Sequence, residues 1–171
     1  MKAYAWRRLC AAALLGIVTL FSGTALARLP NHTRTPGATN PDVTQENIHE
    51  TICVSGWTKT IRPPASYTNN LKKQGIKDYR YKEKRLAEYE EDHLISLQLG
   101  GNPTDPKNLW PEPYRIQCGA RIKDVLETKL KRMVCDGKMT LEQAQLAIAT
   151  NWISAYKKFV YKNGCPEVDE E

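Results

Sequence analysis

The chain carries no C-x-x-C pair and no H-x-x-x-H spacing, and it has only three histidines among 171 residues. Structural zinc sites are usually built from such closely spaced ligands, so the cysteines point to another use. Internal repeats and low-complexity segments are also missing. Beyond residue 27 no stretch is apolar enough to span a bilayer, so no stable membrane insertion is expected of residues 28–171.

The first 27 residues hold a secretory pattern. Lys2, Arg7 and Arg8 precede an apolar run from Leu9 to Phe21, and Gly23-Thr24-Ala25-Leu26-Ala27 supplies small residues suited to cleavage after Ala27. The run is shorter than the ~20 residues a membrane helix needs. Export to the periplasm or the medium is expected, and removal of residues 1–27 leaves 144 residues with a formal charge of +3 in place of +6, since three cations and no acids depart. That length suits one compact domain with a sizeable core. Cys10 leaves with the signal, and Cys53, Cys118, Cys135 and Cys165 remain in an oxidising compartment. Four cysteines there imply two disulfides, with three pairings open.

Along the mature chain, residues 28–43 are polar, broken by proline and glycine, and expected to form an extended arm. A short helix is expected from Thr44, with Ile48 and Ile52 inward, then an extended segment over 53–62 closed by Pro63-Pro64, then a helix from Ser66 to Lys73 stopped by Gly75. Tyr89 to Leu97 and Asn108-Leu109-Trp110 suit two short strands around a turn-rich loop, the second halted by Pro111 and Pro113. Ala120, Ile122, Val125, Leu126, Leu130, Met133 and Val134 recur at helical spacing, and Asp136-Gly137 ends that run. A last helix starts at Thr140, where Thr140-Leu141-Glu142-Gln143 fits a capping box, and runs through Phe159. The domain is thus expected over 44–165, with an acidic tail over 166–171.

Charge is uneven. Between Lys59 and Arg85 nine lysines and arginines face only Asp78 and Glu83, and Tyr67, Tyr79 and Tyr81 are interleaved. Cations with aromatic rings suit salt-sensitive, sequence-tolerant binding of nucleic acid, with Lys59 and Arg62 the best phosphate contacts. An ordinary solvated basic surface would look the same. His32 and His49 are expected at the surface, and Trp57, Trp110 and Trp152 in the core.

The densest chemistry lies at Glu90-Glu91-Asp92-His93. Adjacent residues of a regular strand point to opposite faces, so Asp92 and His93 can share a site only at a bulge or a strand end. Taken with Gly100-Gly101 and Asn108-Leu109-Trp110-Pro111, Asp92-His93-Leu94-Ile95 resembles the HNH, or ββα-metal, nuclease family over roughly residues 88–127. The resemblance implies an α+β fold: a small ββα-metal motif with helices packed around it in a single domain stapled by disulfides. It implies His93 as the general base, Asp92 as ligand of a divalent metal, Mg²⁺ or Mn²⁺, and Asn108 as a brace for the loop. Hydrolysis of phosphodiester bonds in DNA, or RNA, would follow.

Two positions depart from the family. The helix usually carries a third ligand three places before a lysine, and here Ala120-Arg121-Ile122-Lys123 fills that slot. Asp124 and Glu127 lie on the same helical face and either could reach the metal, although salt bridges to Arg121 or Lys131 explain them equally. Lys123 is then expected to contact substrate. Ser96 stands where the family often has proline, with an effect expected only on strand geometry. The missing helix ligand keeps a second expectation open, a non-catalytic exported module that holds nucleic acid or an acidic envelope polymer.

Overall fold

A computed structural model describes residues 29–166; the expected signal and all but the first residue of the acidic tail lie outside them. Two strands, β1 (Tyr89–His93) and β2 (Leu109–Pro113), pair antiparallel, and four helices surround them: α1 (Trp57–Ile61), α2 (Ala65–Asp78), α3 (Ala120–Cys135) and α4 (Leu141–Phe159). This is the mixed helix and sheet that was expected, in one small domain. No helix among the described residues is long and apolar enough to cross a membrane.

The apolar stripes of α3 and α4 make the main core. Leu126, Leu130, Val134, Ile148 and Trp152 are fully buried there, with Leu94, Leu99 and Trp110 entering from the hairpin. Burying side chains of that size contributes ~1.5–3 kcal/mol each before chain entropy is charged against it. Thr140 accepts from the backbone of Gln143, and Gln143 bonds back, so the capping box forms as expected. At Asn151 the backbone of α4 leaves helical geometry (φ −163°, ψ 91°), and the Asn151 side chain accepts from Ser154 N to cap the second half.

Disulfides Cys53–Cys135 and Cys118–Cys165 close loops of 82 and 47 positions, resolving the pairing. The first ties the segment before α1 to the end of α3. The second ties the start of α3 to the end of the described chain.

Several local expectations are corrected. Residues 53–62 are not extended: Gly56 turns left-handed (φ +81°) and α1 comes next, because the tether at Cys53 and the turn override the strand preference of its threonines. Residues from Thr44 form consecutive turns without a regular helix, although Ile48 and Ile52 are buried as expected. Gly75 does not stop α2. It lies inside the helix because a Cβ there would approach Pro111 Cδ to 2.8 Å, so glycine lets α2 lie directly on β2.

Pro111 lies within β2 instead of ending it, which a two-stranded ribbon permits since both strands are edges, and the strand does end at Pro113. β1 ends at His93, and Leu94, Ile95 and Leu97 pass into the core. The arm packs closely. Thr39 bridges to Gly101, and Asn40 N donates to Gly100 O while Asn102 N donates to Ala38 O. A Cβ on Gly101 would lie 1.7 Å from Ile95 O, so only glycine allows that loop to close.

Candidate active site beside the hairpin

His93 is the last residue of β1, the strand-end position at which it and Asp92 can address one space. Both line a polar cleft of about 140 Å³, together with Arg62, Glu90, Ser96, Asp124, Glu127 and Lys131. His93 Nε2 lies 3.0 Å from Pro103 O. A carbonyl only accepts, so Nε2 carries the proton and Nδ1 keeps its lone pair. Burial holds the imidazole below its ordinary value against the opposing pull of the Pro103 contact and of Asp92, which keeps the ring neutral near pH 7.

Asn108 braces the loop that carries Pro103. Its Oδ1 accepts from Ile95 N (2.9 Å) and Ala38 N (3.4 Å), and its Nδ2 donates to Ile95 O and Asn102 O, both at 3.0 Å. It is fully buried, with every bonding capacity of the amide used.

Beneath the cleft lies a charged cluster. Lys123 is 1% exposed, and its Nζ donates to Asp92 Oδ2 at 2.6 Å, Glu127 Oε1 at 2.6 Å and His93 O at 2.8 Å, which fills its three donor positions. Ser96 Oγ donates to the other Glu127 oxygen at 2.6 Å. Glu112, two residues after Trp110 on the inward face of β2, is fully buried near Asp92, and neither of its carboxyl oxygens has a hydrogen-bond partner. Burial, with the Asp92 charge adding to it, raises the Glu112 carboxyl well above its ordinary value. Burial would raise Asp92 too, but the Lys123 ammonium bonded to it outweighs burial and holds Asp92 below its ordinary value. Glu127 is pushed up to about 7, by burial first, with Lys123 opposing.

Lys123 is therefore turned inward and does not reach a bound strand, and Ser96 does more than shape the strand. Glu112 was missed, although its i+2 relation to an inward tryptophan marks its face. Ala120 is buried and does not line the cleft. Asp124 lies at the exposed rim, its carboxyl raised by partial burial and by Asp92, with Arg62 opposing. Glu90 is raised by burial and then by Asp92 and Asp124. Glu91 is pushed up to about 8 by burial. Lys59 and Arg62 are exposed, and only Arg62 borders the cleft.

Tyr79 and Tyr81 have their rings packed against other aromatic rings, while the half-buried Tyr67 is held by its hydroxyl alone. Tyr81 stacks on Tyr89 at 5.0 Å, Tyr79 lies 6.0 Å from Trp110 and bonds Thr35, and the Tyr67 hydroxyl donates to Thr104 O.

A divalent ion fits this arrangement poorly. Bound to Asp92 and Glu127, it would share both carboxylates with the Lys123 ammonium, and two such cations roughly 4 Å apart repel by about 8 kcal/mol at an effective dielectric of about 20. Among the described residues no group of three or more His, Cys, Asp or Glu side chains is arranged to hold a metal ion. Compared with family models, curated proteins and solved structures, the chain matches none.

Proposed function

We propose that the protein is an exported phosphodiesterase of HNH-like type acting on nucleic acid, DNA in the first instance, with His93 as general base. The observation that carries this reading is the strand-end His93, neutral, fixed through Nε2 by the Pro103 carbonyl, and bordering a polar cleft beside the cation Arg62. Its Nδ1 lone pair takes a proton from water. The water oxygen then bonds to phosphorus as the bond to the leaving ester oxygen breaks, that oxygen keeps the electron pair and takes a proton from solvent, and the imidazolium returns its proton to solvent. Arg62 contacts the phosphate, and Lys59 on the adjacent surface extends the path of the backbone. Asn108 is a positioning residue that fixes the loop holding the imidazole. The order β1, β2, α3 and the run from Asp92-His93 through Gly100-Gly101 to Asn108-Leu109-Trp110 support an HNH-like frame, and the two disulfides with the N-terminal pattern support export.

The test is plasmid nicking by the mature, disulfide-bonded chain, with and without Mg²⁺ or Mn²⁺. His93→Ala should lower the rate by about 10²-fold or more with nucleic-acid affinity little changed. A rate unaffected by that substitution would remove His93 from the chemistry. The saturated Lys123 cluster also favours a second reading, a binding module on the same frame. Retained binding with no cleavage under any condition would select it.

A further inference from the structure

We infer that the Lys123 ammonium is the resident cation of this site and stands where the resemblance would put a divalent metal. The inference deepens the phosphodiesterase reading, on which only its catalytic half rests. An ion in such a site would have to meet the Asp92 carboxylate, lie under the end of β1 and be held from α3. Lys123 Nζ does all three, bonding Asp92 Oδ2, the His93 carbonyl and Glu127 Oε1 at 2.6–2.8 Å from its own position on α3.

The surroundings are built for an ammonium. Three acceptors match its three protons, and Ser96 fixes the far oxygen of Glu127. Alanine at position 120, buried in the core, agrees with the loss of a ligand that an internal cation no longer needs. Lys123 is too deeply buried to touch substrate. It is a positioning residue whose fixed charge holds Asp92 and, through the His93 carbonyl, the strand end that carries the imidazole. The site accordingly works without a divalent metal.

The deciding measurement is titration of the full mature chain with Mn²⁺ alone, free ion being followed by electron paramagnetic resonance. Wild type should show no saturable binding that Asp92→Asn removes, through the millimolar range. Lys123→Ala, confirmed as folded by circular dichroism and intact disulfides, opens space among the carboxylates and should bind Mn²⁺ at least about tenfold more tightly. Wild-type binding that Asp92→Asn abolishes would overturn the inference, as would a folded Lys123→Ala chain that binds no better than wild type. If Lys123→Ala does not fold, the wild-type and Asp92→Asn titrations decide alone. In the nicking assay, cleavage that persists in chelator supports the inference, and cleavage lost to both chelator and Asp92→Asn contradicts it. Absence of cleavage throughout would count against the phosphodiesterase reading, while the Mn²⁺ titration would still decide the place of Lys123.

Discussion

Asn108 and Lys123 are the two fully buried polar centres that hold the end of β1, and they do so by opposite means. Asn108 is neutral, and each of its donors and acceptors meets a backbone partner. Lys123 is charged, and it meets two carboxylates with a third carboxyl, Glu112, buried behind them. A neutral brace costs little to bury once satisfied, whereas an ion cluster is stable only while its partners stay in balance. The first gives the loop a fixed shape. The second makes the same region sensitive to charge.

The largest expected effect comes from upsetting that balance. Lys123→Met should destabilise the fold by ~3–5 kcal/mol near pH 7, measured by urea unfolding with disulfides intact, because it strands Asp92 and Glu127 without a counter-charge. Adding Asp92→Asn and Glu127→Gln to it should recover most of the loss. No recovery would mean that packing, not charge, is what Lys123 supplies.

Asn108→Ala should cost somewhat less, ~2–4 kcal/mol, since it leaves Ile95 N and O unpaired in the core. The two centres separate further with pH. The Asn108 cost should be flat from about pH 4 to 8, because the amide has no ionisation of its own. For the cluster the signs oppose. Asp92, lowered in the fold, adds stability above its unfolded value near 3.8 that is lost as pH falls. Glu112 and Glu127, raised in the fold, add stability that is complete below 4.5 and is lost as pH rises. Wild-type unfolding curves should therefore show a maximum on the acid side of neutrality, and Lys123→Met should move it.

The same contrast separates what the sequence disclosed from what it hid. The brace at Asn108 was legible only through the resemblance that its Asn-Leu-Trp motif carries, since nothing local to the sequence shows which backbone groups the amide meets. The helices α3 and α4 were legible from their apolar period, and the capping box from Thr140 and Gln143. Lys123 was not legible. Its (i, i+4) relation to Glu127 is what any solvated helix face offers, and its other partner lies 31 positions earlier on a strand whose register no local signal gives. Gly75 misled for a related reason, its task being contact with Pro111 across the fold and not an end to α2.

The smallest effect tests the edge of the cluster. Ser96 Oγ donates to Glu127 Oε2 and also accepts from Gln98 N at 3.2 Å, so Ser96→Ala removes one bond to a titrating group and one to the backbone. The backbone bond is lost equally at every pH, at ~0.5–1 kcal/mol. The bond to Glu127 favours the charged carboxylate, whose value of about 7 means it is protonated at about pH 5 and ionised at about pH 8. Ser96→Ala should therefore cost about 1 kcal/mol at about pH 5 and about 2 kcal/mol at about pH 8, read from urea midpoints at the two values. The difference should vanish in a Glu127→Gln background, because the amide does not titrate. A cost that is the same at both pH values in the parent chain would mean that Glu127 keeps a single charge state across that range, and that the balance between burial and the Lys123 ammonium is not what sets its titration.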